Sequence, residues 1–243
     1  MEVVALELKY KRVILKLSGE VLAGKKGTGI DDEVISNVAQ TIKKMTDHGV
    51  EVGLVIGAGN FWRGRTSKKM ERTTADYMGM MGTVMNSLAM ADALKFLGVK
   101  NKLMSAISMS PLADDYNREK AVTFLSEGTV VIFGAGTGSP FFSTDTTAAL
   151  RAAEMDAELI LLAKRVDGVY DCDPALNPNA KKYDRLTYSD ILSQKLGVMD
   201  FTAITLCMDN HIPIAVFDLN VPENILKACS GINVGTIIEE VQI

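Results

Sequence analysis

Lys16 is the only charged residue in the run Val13-Ile14-Leu15-Lys16-Leu17, and Ser18-Gly19-Glu20 follows it directly. A cation at the carboxyl end of an apolar strand can neutralise phosphate charge during group transfer. It can equally be a side chain that snorkels to water at a sheet edge, and the strand context alone favours neither. Two more glycine-bearing segments follow apolar runs: Gly57-Ala58-Gly59-Asn60-Phe61-Trp62-Arg63-Gly64 and Gly134-Ala135-Gly136-Thr137-Gly138-Ser139-Pro140. Glycine lets backbone N–H groups approach an anion closely. A helix beginning beyond such a loop turns its positive end toward the same anion. One loop of this kind is usually only a turn, but three of them, two with an adjacent cation, point to phosphate binding.

Other chemistries find little support. No GxxxxGK[ST] sequence occurs, which excludes a P-loop. The run from Gly134 begins GxG but has Ser139 in the third glycine position and then Pro140, unlike a dinucleotide-binding turn. Over residues 63–72 the cations Arg63, Arg65, Lys68, Lys69 and Arg72 face one acid, Glu71. A solvated loop explains most of them, and only Arg63, beside the glycines, is a phosphate candidate. His48 and His211 lie far apart, and no Ser/His/Asp or Cys/His grouping is apparent. Cys172, Cys207 and Cys229 form no CxxC pattern, so neither a zinc site nor a disulfide framework is indicated. They are expected to be buried and reduced, as in a cytoplasmic protein.

The chain of 243 residues is long enough to bury a core without staples. Its 47% apolar and 23% charged residues give an ordinary globular balance. A net charge of -4 disfavours a nucleic-acid surface. No apolar run approaches the roughly 20 residues of a membrane span, and the amino terminus lacks a signal-peptide core. A cytoplasmic protein with no nucleic-acid or membrane partner is expected. Strands are predicted at 13–17, 51–56, 101–104, 129–133, 159–162, 214–217 and 236–238. Helices are predicted from Asp31 to about 48, stopped by Gly49, and at 76–97, 114–125, 145–154, 189–196, 202–210 and 222–229, the last with Pro222 in its first turn. This alternation implies an α/β fold, a three-layer α/β/α sandwich with a mainly parallel central sheet. The expectation is one domain over residues 1–243 with a soft lobe boundary near 145–157. Met78, Met81 and Met85 recur at helical spacing with Leu88, a stripe suited to core or subunit interface.

Five segments together resemble a known family. They are Lys16-Leu17-Ser18-Gly19-Glu20, the Gly57 to Gly64 loop, Ala75-Asp76-Tyr77-Met78-Gly79-Met80, the run from Gly136 to Asp145, and Val166-Asp167-Gly168-Val169-Tyr170-Asp171-Cys172-Asp173-Pro174. They are similar to the bacterial uridylate kinases of the amino-acid-kinase fold family, and the likeness extends to Leu186-Thr187-Tyr188 and Val198-Met199-Asp200. The resemblance implies transfer of the γ-phosphoryl group of Mg-ATP to UMP in pyrimidine nucleotide biosynthesis, with Mg2+ entering as Mg-ATP and no metal site built from the protein. It implies ATP contacts at Lys16, Leu17, Ser18, Gly19, Gly59, Arg63, Lys164, Tyr170 and Asp173. UMP contacts are implied at Gly57, Ala58, Asp76, Thr137, Gly138, Ser139, Pro140, Phe141, Phe142, Ser143 and Thr144. Lys16, Asp145 and Arg63 would serve the transfer itself, with Asp145 orienting Lys16 at a helix start. Three positions depart from the family pattern: Ala58 for the middle glycine of GGGN, Lys164-Arg165 for Thr-Lys, and Trp62 for Phe, the last expected to affect packing alone.

The same resemblance implies a homohexamer, GTP activation through the loop Gly24-Lys25-Lys26-Gly27-Thr28-Gly29, and inhibition by UTP. That loop also reads as a flexible glycine hairpin. A nucleotide or oxyanion binder without transfer activity is a second reading, disfavoured by the presence of both Lys16 and Asp145. A sister kinase acting on a carboxylate or carbamate is a third, disfavoured by the run from Thr137 to Phe142 and by Asp76.

Overall fold

A computed structural model describes residues 7–62, 69–164, 166–218, 221 and 223–240. Arg63, Gly64, Arg65, Lys68, Arg165 and Pro222 therefore lie outside the described residues. In chain order the elements are β1 (Arg12–Leu17), α1 (Gly19–Leu22), a single 3-10 turn (Gly24–Lys26), α2 (Asp32–Asp47), β2 (Glu51–Ile56) and α3 (Arg72–Phe96). Next come β3 (Asn101–Ser105), β4 (Asp114–Asp115), α4 (Arg118–Ser126), β5 (Val130–Gly134), α5 (Thr144–Glu154) and β6 (Leu159–Lys164). The chain continues through β7 (Val169–Tyr170), β8 (Lys182–Tyr183), β9 (Arg185–Leu186), α6 (Tyr188–Gln194) and α7 (Phe201–Asp209). It closes with β10 (Ile214–Asp218), α8 (Glu223–Cys229) and β11 (Thr236–Ile238).

Nine strands form one sheet in the order β4-β3-β5-β2-β1-β6-β10-β11-β9, parallel throughout except for the β10–β11 pair. β7 and β8 make a separate antiparallel ribbon. Strand alternation sends successive side chains to opposite faces. Val13, Leu15 and Leu17 pack with α2, α3 and α8, whereas Ile14 packs with α4, α5, α6 and α7. The expected α/β/α sandwich is observed, and both faces of the central strands are dry.

Local chemistry explains most element starts. Asp31 caps α2 by accepting from the Glu33 and Val34 amides, and Gly49 follows with a φ of 83°. α3 begins at Arg72 rather than at the predicted Asp76, because Glu71 accepts from the amides of Thr73 at 3.1 Å and Thr74 at 3.0 Å. The predicted helix from Asp114 starts instead at Arg118, capped by Asn117. Asp114 and Asp115 are drawn into the sheet beside Met104 and Ser105. Asp200 caps α7 by accepting from the Ala203 amide at 2.8 Å. Cys207 and Cys229 are buried as expected, and burial pushes both thiols up to about 12. Cys172 is not: it lies exposed on the loop after β7, where no strand or helix covers it. No helix among the described residues is long and apolar enough to cross a membrane.

Candidate active site

The central position of β1 removes the sheet-edge reading of Lys16. β1 is the fifth of nine strands, so its lysine cannot snorkel over a sheet edge. Lys16 shares a face with Ile14, toward α5, and is only 9% exposed. Its ammonium meets the Asp145 carboxylate at 2.5 Å. Asp145 stands in the first turn of α5, where the helix dipole also favours a negative group.

Lys164 reaches the same place by the same alternation. Ile160 and Leu162 of β6 pack on the α5 face, and Lys164 continues that row at the strand end. Its ammonium donates to the carbonyls of Gly197 at 3.2 Å and Val198 at 2.5 Å. Burial lowers its pKa below the ordinary 10.5; the nearby Lys16 charge acts in the same direction and Asp145 opposes it. Two lysines are thus held at the carboxyl ends of adjacent parallel strands, where open α/β sheets bind ligands.

A cavity of about 500 Å³ opens over this pair, lined by Lys16, Ser18, Asp145, Lys164, Val198 and Asp200 among others. It shares Lys164 with a second cavity of about 480 Å³ bounded by Tyr170, Cys172, Asp173 and Val216. There Tyr170 donates to Asp167 at 2.6 Å, and Lys182 pairs with the same carboxylate at 3.0 Å. These partners hold the Asp167 carboxyl below the usual carboxylate range, with the Tyr170 bond contributing most. On the opposite side Ser143 is shared with a smaller cavity of about 110 Å³, lined by Ala58, Asp76, Thr137, Phe142 and Thr144. The first cavity therefore adjoins both of the others, and Lys16 and Asp145 stand in its wall.

The glycines act mainly through backbone contact. A Cβ on Gly19 would lie 2.4 Å from the Gly57 carbonyl and 2.8 Å from the Gly59 nitrogen. Gly19, Gly57 and Gly59 thus let two strand-end loops touch, and with Leu17 they support the cavities without lining them. Gly138, Ser139, Pro140 and Phe141 likewise stay outside the lining of the small cavity. Asp76 Oδ2 accepts from Arg72 Nε at 2.7 Å and from the Phe141 amide at 2.8 Å. The latter bond holds Phe141 at a φ of 74°. The loop from Gly24 to Gly29 lines none of the three cavities, yet the Thr28 hydroxyl and the Gly29 amide both donate to the Asn60 carbonyl.

Two departures from the family pattern acquire physical accounts. Trp62 does more than pack: its indole N–H donates to the Ala75 carbonyl at 2.9 Å, a bond that phenylalanine cannot make. The Ala58 methyl is accommodated by Gly82 of α3, where a Cβ would come within 2.8 Å of it. Asp200 had no role from sequence. It accepts from the Ser143 and Thr146 hydroxyls and so ties the start of α5 to the start of α7. Its position just before a helical stretch was the available signal.

Residues 11–218 match the amino acid kinase family. The chain belongs to the amino acid kinase family. Its fold is similar to the crystal structure of UMP kinase from Bacillus anthracis, with a TM-score of 0.92 and 38% identity, covering 96% of this chain and 97% of that one. UMP kinase from Ureaplasma parvum gives 0.89 and 39%, covering 96% of this chain and all 100% of that one. Uridylate kinase from Archaeoglobus fulgidus gives 0.70 and 30%, with 93% and 99% covered.

The Ala58–Gly82 contact yields a test. Glycine to alanine in a helix ordinarily stabilises by about 0.5–1 kcal/mol. G82A is expected to destabilise by about 1–3 kcal/mol through overpacking. The double variant A58G/G82A should recover most of that loss in thermal unfolding. Equal stability of G82A and the unsubstituted protein would show that the contact imposes no constraint.

Proposed function

We propose that this protein is a UMP kinase that transfers the γ-phosphoryl group of Mg-ATP to UMP, giving UDP and ADP. The observation that carries the reading is the Lys16–Asp145 pair, its lysine buried, in the wall of the large cavity that shares Ser143 with the small one. The similarity to UMP kinases over nearly the whole chain supports it. In this reading ATP occupies the larger recesses, with Tyr170 and Asp173 toward its nucleoside and Lys16, Ser18, Gly19, Gly59 and Lys164 toward its phosphates. UMP occupies the small recess against Gly57, Ala58, Asp76 and the segment from Thr137 to Thr144, which divides the chain into a UMP-side lobe and an ATP-side lobe near residues 145–157. Arg63 is assigned to the transferring phosphoryl from the family resemblance alone. Phosphoryl transfer asks for alignment and charge neutralisation more than for a strong base. Lys16 supplies the charge, Asp145 holds its ammonium, and Mg2+ enters with ATP. A cytoplasmic role in pyrimidine nucleotide biosynthesis follows from this reaction.

Regulation belongs to the same proposal. The loop from Gly24 to Gly29 would receive GTP, and its bonds to the Asn60 carbonyl give it a path to the Gly57 loop; UTP would inhibit. The chain would assemble as a homohexamer through α3, where Tyr77, Met78, Met85 and Leu88 are exposed. Sedimentation should find a single large species at micromolar concentration, and a stable monomer there would sink the assembly.

Two kinetic outcomes test the chemistry. K16M should lower kcat by about a hundredfold, roughly 3 kcal/mol, while changing UMP binding little, since the charge acts on the transferring group. Unchanged turnover in K16M would remove the lysine from the mechanism. UMP should also be preferred over CMP in kcat/KM by roughly 10⁴-fold, because cytosine reverses the donor and acceptor at two ring positions. Comparable values for the two nucleotides would overturn a dedicated uridylate site.

A further inference from the structure

The β7–β8 hairpin carries Tyr170 and leads into Asp173, yet its strands pair with each other and with no strand of the nine-stranded sheet. Val169 of its first strand packs in the core, and one buried hydroxyl supplies a polar tie from that strand to the sheet. Thr236 of β11 is 1% exposed. Its Oγ1 accepts from the Val169 amide at 2.8 Å and donates to the Tyr183 carbonyl at 2.5 Å. Val169 and Tyr183 are themselves partners across the hairpin, so one hydroxyl satisfies a group from each strand. The surroundings leave no slack: a Cβ on Gly168 would lie 2.7 Å from Thr236 Oγ1, and one on Gly235 would lie 2.8 Å from the Asp167 carbonyl. The second strand has another hold, because β9 follows it and pairs with β11. The first strand, which bears Tyr170, has the Thr236 hydroxyl as its polar tie beside the packing of Val169.

We propose that Thr236 is the positioning residue of the ATP-side hairpin. It does not line the 480 Å³ cavity, whereas Val169, Tyr170 and Asp173 do, so it acts through them. This rests on the assignment of that cavity to ATP. Valine in its place keeps the shape and removes both bonds, so the Val169 amide and the Tyr183 carbonyl are left only each other across the ribbon and lose their tie to β11.

T236V is expected to raise KM for Mg-ATP about tenfold while kcat and KM for UMP stay within about twofold, and T236S should restore the parent values. Equilibrium binding of a non-hydrolysable ATP analogue should weaken in parallel. Hydrogen exchange at the Val169 amide should quicken about tenfold in T236V and not in T236S. Provided that Y170A raises the ATP KM, an unchanged ATP KM in T236V, a matching rise in both KM values, or failure of serine to restore would overturn the proposal. If T236V and T236A both fail to fold while T236S is normal, the hydroxyl serves the whole sheet and the proposal is equally overturned. Y170A separates the underlying assumption: an unchanged ATP KM in that variant, together with faster Val169 exchange in T236V, refutes the ATP assignment and leaves the positioning role standing.

Discussion

A lysine ammonium at the end of a strand buried on both faces needs acceptors in place of water, and for Lys16 the acceptor is the Asp145 carboxylate. The rest of the site follows from that requirement. Lys16 lies in the middle strand of the sheet, and its parity with Ile14 directs it toward α5. Asp145 must then occupy the first turn of α5, and α5 must start at Thr144 for the distance of 2.5 Å to be reached. Ser143 secures that start by accepting from the Asp145 amide while donating to Asp200. Asp200 in turn caps α7. One ion pair is therefore backed by two helix termini and a shared carboxylate.

Backbone contact sets a second, steric constraint. The loops after β1 and β2 approach so closely that Gly19 has no room for a methyl group. Behind them Asn60 and Asn86 exchange two amide hydrogen bonds of 2.8 Å. Asn86 also donates to the Gly57 carbonyl, and Asn60 to the Gly29 carbonyl. Each buried amide N–H thus has an acceptor, which makes the network rigid. α3 supplies Asn86 from one face and exposes Met85 beside it, so the helix proposed for assembly also braces the loop beneath the small cavity.

The two recesses beside the first cavity are held differently. The 110 Å³ recess is bounded by α3, the start of α5 and the loops after β2 and β5, which run directly from strands of the main sheet. The 480 Å³ recess is bounded on one side by a ribbon outside that sheet. Such a ribbon can adjust at lower cost than a central strand, and Lys164 between them is anchored by two backbone carbonyls. The depressed pKa of Lys164 reflects the same arrangement, a cation kept largely from water and placed near another cation.

Much of this was legible from the chain alone. The parallel three-layer architecture, the Asp31 cap with its Gly49 stop, and the strand-end position of the glycine loops all follow from local periodicity and from the special freedom of glycine. Lys16 could be identified as a charged residue in an apolar strand, but whether it sat at an edge or at the centre could not, because strand order is set by long-range packing. The same reason hid β7, β8 and β9, each two residues long, since no hydrophobic period can be read from so few positions. It also hid the partners of Trp62, Asp200 and Thr236, whose hydrogen bonds join segments distant in the chain. Residue types and short-range spacing determined which groups could do chemistry. Only the closing of the sheet, which brings β1, α5 and α7 to one edge of the strands, decided which of them meet.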